Sequence, residues 1–516
     1  MSAFATGSAV RIVADRGALS AWLPALAQAL ETKLPASVSV EISDNGPAPD
    51  TALGALLSLE KLLLRGSRPC WSDRISRGEL SQWLTPAPAD VVIDLTSEGV
   101  DAGEATLFRP LFDGGMGETA LASALFLRGT PQIAVERAEP GRAPCIVASG
   151  TASLEAAAGI GGGMEAVWSR VAVLLLKAIR RGGEGWAEVP PPTPAAQLPR
   201  MQAMHRAAKL VASAAARAAY RLSCHPGHWR IGWRRAGYED DVWARRDLGG
   251  AVWNVLADPN DHFYADPFPF FWKGRDYLFF EDLDHKTQKG VISVVDFDDE
   301  GRPGPVVPVL EEPWHLSYPF VIAVDGQIWM IPEASLSGAV AIYRATDFPY
   351  RWERHATLIS GVEAADATVV WHEGRYYMFA VTREGVGGYS DTLDIWQAPD
   401  LLGPWRPLPA NPVLVDDRSA RPAGAFVLRG GRLMRPVQDC RGGYGIGLGL
   451  AHVTRLDPGG FAQTVETRLF PGLPHWPGRK LHTLNGNGRL EVIDGSVLRP
   501  RLAAATAIVE RRNRPS

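Results

Sequence analysis

Four times between His262 and Asp439 the chain runs through one short pattern: an apolar, aromatic-rich stretch of strand length, a polar turn carrying Gly, and a second such stretch. Superposed on the turns Gly274-Arg275, Gly326-Gln327, Gly374-Arg375 and Gly431-Arg432, the copies read ADPFPFFWKGRDYLFFED, SYPFVIAVDGQIWMIPEA, DATVVWHEGRYYMFAVT and AGAFVLRGGRLMRPVQD, with turns 52, 48 and 57 residues apart. Each copy has the pattern of a β-hairpin. Such a period, with several strands in each, predicts a β-propeller with one blade per repeat.

This register places chemistry. The first strand of a propeller blade lines the central axis and the second runs antiparallel to it, so the start of the first and the end of the second open on the same face. Asp266 and Glu281 are 15 residues apart, as are the aligned Tyr318 and Glu333. Both glutamates therefore return to the rim where Asp266 stands, and Asp366 takes the Asp266 position in the third copy. The layout predicts carboxylates from three blades around one axial pocket.

The remainder of the chain sets limits. Its 516 residues exceed one ordinary domain, and 46% hydrophobic with 21% charged residues is the composition of a globular protein. A formal charge of −4 gives no basic field for nucleic acid. Cys70, Cys145, Cys224 and Cys440 lie far apart with no CxxC pair, against a zinc site or disulfide scaffold. The first residues lack a signal-peptide pattern and no uninterrupted apolar run reaches spanning length, which predicts a cytoplasmic protein.

Residues 1–181 alternate strand and helix, with strands near 9–13 and 90–95 and helical spacing over 18–32 and 50–65, which predicts an α/β domain with a Rossmann-like layer. The stretch from Trp168 to Arg181 reads as an amphipathic helix covering the sheet. Gly159 to Trp168, GIGGGMEAVW, enters that helix; it reads as a helix start, with a degenerate nucleotide or sugar pocket as the other possibility. The layout of residues 8–180 resembles the N-terminal domain of formyltransferases. Formyl transfer in that family uses an Asn, a His and an Asp, whereas the first histidine here is His205 and the one asparagine before Asn254 is Asn45. The resemblance thus implies a non-catalytic copy. A Pro-rich connector and an Ala-rich helix from Met201 to Leu222, a docking helix or a spacer, fill residues 182–227.

From residue 228 to 503, before a tail at 504–516, helical periods vanish and tryptophans concentrate. After His475 only LHTLNGNGRLEVIDG reads as a hairpin, so a ring of five blades closes if the N-terminal strand His228–Arg234 completes the last one. The fold class is an α/β domain followed by an all-β five-bladed β-propeller.

The opening Tyr264-Ala265-Asp266-Pro267 resembles the first blade of five-bladed glycosidases of glycoside hydrolase family 43. HFYADPFPFF, HLSYPFVI, PEAS, DATVVWHEGRYYMF and LHTLNGNG together resemble the propeller of the N-terminal family of plant glucosamine inositolphosphorylceramide transferases, over residues 228–500. The resemblance implies a carbohydrate-active enzyme, glycoside hydrolase or glycosyltransferase, in which Asp266 matches the general base and Asp366 the aspartate that orients the acid. The acid is expected at Glu333, since its Ala-Ser neighbours leave room for a ligand while Glu281 precedes Asp282 and Asp284 in what reads as a solvated loop. Glu281, Tyr318, Arg421, Arg435 and His482 are candidate substrate-binding residues, and Trp314 and Trp476 candidate sugar platforms. Each has a structural alternative: Asp before Pro is a common turn residue, His482 could hold a channel water or ion, and blade packing explains most propeller aromatics. The implied partner is a carbohydrate or glycoconjugate, with no cofactor or metal. Two further readings stand: a sugar-binding scaffold in glycan or glycolipid assembly, and an N-terminal domain acting on a nucleotide sugar through Asp94 or Asp113.

Overall fold

The computed structural model describes residues 8–46, 51–85, 87–181, 187–189, 200–225, 227–259, 261–383, 385–476, 478–502 and 506. The chain divides into two compact units, Met1–Arg217 with Glu384–Gly388, and Ala218–Arg383 with Tyr389–Ser516.

The first unit is built on strands β1 (Ala9–Asp15), β2 (Ser37–Ser43), β3 (Val91–Asp94), β4 (Thr106–Phe112), β5 (Gly115–Met116), β6 (Gln132–Ala138), β7 (Cys145–Thr151) and β8 (Ala187–Glu188). Their order is β2-β1-β3-β4-β6-β7-β8, with β5 on β4. β1 to β4 run parallel, but β6, β7 and β8 are antiparallel to their neighbours. The sheet is therefore mixed, parallel over β2-β1-β3-β4 and antiparallel beyond, where short turns make hairpins of β4–β5 and β6–β7, so the expected Rossmann-like layer is not borne out across the whole sheet. The helices of this unit are α1 (Trp22–Lys33), α2 (Thr51–Glu60), α3 (Gly117–Leu127) and α4 (Gly159–Arg181), and α5 (Arg200–Ser223) begins in this unit and ends in the second. Among the described residues α4 alone is long and apolar enough to cross a membrane, yet 83% of that stretch is buried, as in a core helix. Trp22 of α1 stacks on Trp168 of α4 at 5.3 Å.

The Gly-rich start of α4 has a carboxylate in place. The Gly161 amide donates to Glu60 Oε2 at 3.1 Å, and a Cβ at Gly159, where φ is +78°, would strike that same carboxylate. These glycines let α4 approach Glu60 closely, so the pocket alternative for the stretch loses its anion site. Asp94 is bound by Thr96, Val100 and Arg109, and Asp113 by Arg128 and the Gln132 amide. Both are committed to local structure. No disulfide joins the four cysteines.

The second unit contains five blades among the described residues. Blade I comprises His262–Trp272, Arg275–Asp284, Lys289–Asp296 and Val307–Leu310; blade II comprises Ser317–Val324, Gln327–Glu333, Ala339–Asp347 and Arg351–Ser360. Blade III comprises Ala364–His372, Arg375–Thr382, Thr392–Ala398 and Arg406–Pro407, with Leu414–Val415 beside it; blade IV comprises Val427–Arg429, Arg432–Asp439, Gly447–Asp457 and Gly460–Leu469. Blade V joins both ends of the unit: Leu484–Gly486 and Leu490–Ser496 are followed outward by Trp229–Arg235 and Asn254–Val255. Ring closure by the N-terminal strand is as the sequence predicts.

Each blade is covered on both faces, so its inner strands are continuous apolar runs rather than alternating ones. On the second strand of blade I, Phe279 packs with Met330, Tyr343 and Trp352 of blade II, while Leu278 and Phe280 pack with Ile231, Leu490 and Val492 of blade V. Alternation along the strand decides which neighbour each residue serves. All three are fully buried, each contributing about 1.5–3 kcal/mol by transfer from water.

Candidate active site at the propeller axis

Asp266, Tyr318 and Asp366 hold the same place in blades I, II and III. Each lies where the inner strand slips register against the second, between Ala265 and Phe268, Ser317 and Phe320, and Ala365 and Thr368. Each has positive φ, +52°, +43° and +58°. A β-bulge leaves ladder positions unpaired and re-aims the side chain, and left-handed backbone at residues other than Gly persists only where the surroundings hold it. The three side chains are buried and converge.

Asp266 is held from blade V. Its amide donates to Asp494 Oδ2 at 2.9 Å, Thr483 Oγ1 donates to its Oδ1 at 3.0 Å, and the Tyr318 amide makes a long contact to Oδ2 at 3.3 Å. His482 donates from Nδ1 to Asp494 Oδ1 at 2.7 Å and turns Nε2 toward Asp266 Oδ1 at 3.4 Å. Burial pushes the Asp266 carboxyl up to about 7; His482 opposes the shift, and Asp494 and Asp366 add to it. For His482 burial disfavours the imidazolium, but Asp494 and Asp266 outweigh it and hold the ring above its ordinary range. Its ring stacks on Trp229 at 4.0 Å.

Asp366 receives Arg421 Nε at 2.6 Å and Gln438 Nε2 at 3.2 Å. Burial raises its carboxyl, and Arg421 works against that rise. Tyr318 takes its neighbours' groups in order: its hydroxyl accepts from the Gly424 amide at 2.7 Å and meets Thr368 Oγ1 at 2.9 Å, while Thr368 donates to the Asp366 carbonyl. Gly424 is required there, because at φ +142° a Cβ would lie 2.2 Å from the Leu484 carbonyl oxygen.

The two glutamates differ in a way the sequence reading inverted. Glu281 and Asp282 lie buried within the second strand of blade I, where His262 and Ser293 bind Asp282; the strand runs on through Asp284, and the turn begins only after it. Burial raises the Glu281 carboxyl well above the usual range, and the charges of Asp266, Glu333 and Asp494 add to it. His315 faces it: the Gly290 amide donates to Nδ1 at 3.0 Å, so Nε2 carries the proton and stands 3.3 Å from Glu281 Oε1. Burial lowers the His315 pKa, keeping it neutral. Glu333 is half-buried and has both oxygens engaged, by the Ser317 hydroxyl and the Ser335 amide. Burial thus favours the protonated form of Glu281.

Arg421 and His482 join the cluster, but Arg435 does not. Its guanidinium donates to the Ser419 and Ala420 carbonyls at 2.9 and 2.8 Å and lies over Phe379 and Phe461, where burial lowers it to about 9. Side chains alternate along a strand, and Gln438, three residues on, is the one that reaches Asp366. Trp476 is fully buried against Trp253, and Trp314 packs in the core between blades I and II, so neither offers an open sugar platform. A further aromatic at the cluster is Tyr444, with Arg421 4.7 Å from its ring centroid and its edge against His482. Burial raises its hydroxyl far above the ordinary value, with Asp266, Asp366 and Glu281 contributing.

Sequence reading missed Asp494, Thr483, Gln438 and Tyr444. Gln438 was within reach, since it follows its turn glycine by seven residues, as Glu281 and Glu333 follow theirs. Asp266, His482 and Asp494 each bring one potential metal-ligand atom within 4.8 Å of the others. Asp494 Oδ1, however, accepts from His482 Nδ1 and from the His482 and Thr483 amides, and Oδ2 from the Asp266 amide. With three donors already on Asp494 Oδ1, the three residues fit a hydrogen-bonded triad better than a cation site.

Residues 254–489 match the family described as glucosamine inositolphosphorylceramide transferase 1, N-terminal. A glucosamine inositolphosphorylceramide transferase 1 of Oryza sativa subsp. japonica is 32% identical over 248 residues, covering 45% of this chain and 33% of that protein. Its Arabidopsis thaliana counterpart is 37% identical over 188 residues, covering 36% and 24%. The chain thus spans a third or less of the length of these curated relatives. Among solved structures, a family 117 glycoside hydrolase of Zobellia galactanivorans is similar at 11% identity and a TM-score of 0.34, covering 52% of this chain and 90% of that one. A family 43 protein of Bacillus licheniformis is similar at 20% identity and a TM-score of 0.32, covering 43% and 51%. The family resemblance read from the motifs is found over the propeller. The resemblance of the first unit to formyltransferases gains no such support.

Proposed function

We propose that the propeller is a carbohydrate-active enzyme that cleaves or transfers a glycosyl group at its axis. The observation that carries this reading is a pair of buried carboxyl groups on the first two strands of blade I, Asp266 pushed up to about 7 and Glu281 raised well above its ordinary range, each by burial. Environments that set two carboxyl groups apart in this way divide the work of acid and base between them. Glu281 gives its proton to the departing glycosidic or phosphate oxygen as the bond to the anomeric carbon breaks. Asp266 takes a proton from the water or acceptor hydroxyl that forms the new bond. Asp366, neutralised by Arg421, and Tyr318 position the inner strands, while Glu333 and Tyr444 face the substrate. Transfer is supported by the names of the matched relatives, and we propose a cytoplasmic setting with it.

The test is mass-spectrometric detection of sugar release or transfer from a panel of glycosides and nucleotide sugars, with wild type and Asp266→Asn. Turnover that falls a hundredfold or more in the variant, on the order expected for loss of a general base, supports the reading. Turnover unchanged by the substitution moves the chemistry away from the axis. Saturable sugar binding without turnover in either protein would make the propeller a scaffold.

A further inference from the structure

We propose that α5 is an interfacial helix that docks this protein onto an anionic lipid bilayer, independently of the chemistry at the axis. From Val189 to Tyr238 the sequence has eight Lys or Arg and no Asp or Glu, in a chain whose net charge is −4. Five of the eight lie in α5, Arg200–Ser223. At about 100° per residue, Met204, Val211 and Leu222 form one stripe, and Arg206, Lys209 and Arg221 occupy the other side of the helix. The stripe is not turned inward: these three side chains are 68%, 53% and 81% exposed. A helix serving its own core buries its apolar stripe. One that combines an open apolar stripe with a purely cationic polar face has the composition of a membrane-surface helix.

Neighbouring surface in the first unit widens the feature. Leu56 and Leu59 of α2 line an apolar cavity of about 370 Å³ together with Met204 and Ala207 of α5, and Leu62, just beyond α2, is 77% exposed. The charge pattern selects a lipid surface over a shaped protein groove. Nine of the 24 residues of α5 are Ala, which offers little relief for specific packing, whereas cations without any interspersed carboxylate suit a fluid, uniformly anionic surface.

The experiment is flotation of the full chain with phosphatidylcholine vesicles, with and without phosphatidylglycerol, at low and high salt. Binding is expected to the anionic vesicles only and to weaken with salt. Lys209→Gln with Arg221→Gln should lower the affinity by about fivefold per charge, or roughly 25-fold together. Val211→Asp with Leu222→Asp should abolish binding, and unchanged circular dichroism in both variants would show that the fold persists at these exposed positions. Equal flotation with neutral vesicles, no flotation with either, or anionic binding indifferent to both variants would overturn the proposal. So would a dimer in solution that Val211→Asp dissolves, since that would give the stripe to a second copy of the chain.

Discussion

Replacing Asp266 by Asn should make the propeller more stable, and increasingly so as the pH rises. The folded Asp266 carboxyl sits at about 7 against an ordinary 3.8, with burial the leading cause. A group whose folded pKa is raised contributes stability that is fully present below its unfolded pKa and is lost as the pH climbs through the folded value, here between about pH 4 and 7. At about 1.36 kcal/mol per unit, keeping this carboxylate ionised in the folded state costs about 4 kcal/mol. The advantage of Asp266→Asn over wild type should therefore grow by about 2–3 kcal/mol from pH 5 to pH 8, whatever fixed effect the amide has on its neighbours. Guanidinium denaturation followed by tryptophan fluorescence suits the measurement, since 12 of the 17 tryptophans lie beyond His228 and report mainly on the propeller. An advantage that stays constant or shrinks between those pH values would refute the idea that burial holds this carboxyl against ionisation.

Three further outcomes are expected. Tyr318→Phe leaves the buried Gly424 amide without its acceptor and should destabilise the propeller by about 1–3 kcal/mol in the same denaturation assay. Gly424→Ala sets a Cβ against the Leu484 carbonyl at positive φ, so a loss of about 3 kcal/mol or more, or failure to fold on expression, is expected. If Glu281 is the acid, Glu281→Gln should lower kcat by two orders of magnitude or more on substrates with poor leaving groups, on the order of general-acid catalysis, and far less on activated ones. Glu333→Gln should act mainly on KM, and steady-state kinetics with paired leaving groups separates the two.

The features legible in the sequence were those that repeat locally. Counting back from the turn glycines places Asp266, Tyr318 and Asp366 in one register, and the three bulges with positive φ occupy those positions. The leftover strand before blade I and the single hairpin after His475 pointed to the closure seen in blade V. What escaped depends on that closure. Asp494 binds the Asp266 amide from 228 residues away, a proximity that no local pattern encodes. The burial of Glu281 was not legible because the flanking acidic residues suggest solvent there, whereas His262 and Ser293 satisfy Asp282 inside the blade. Arg435 was misplaced through neglect of strand alternation, information the sequence did contain. In the first unit, the partner of the Gly-rich helix start is Glu60, 101 residues earlier, and again only the fold brings them together.

The most direct test of the central claim is the pH dependence of kcat/KM for whichever sugar the wild type turns over, measured beside His482→Gln. The account predicts a rate that rises with pH to a plateau through a midpoint near 7, where Asp266 gives up its proton, and a midpoint moved upward when the His482 imidazolium no longer opposes the burial of that carboxyl. A profile flat from pH 5.5 to 8.5, or a midpoint that His482→Gln leaves in place, would contradict it.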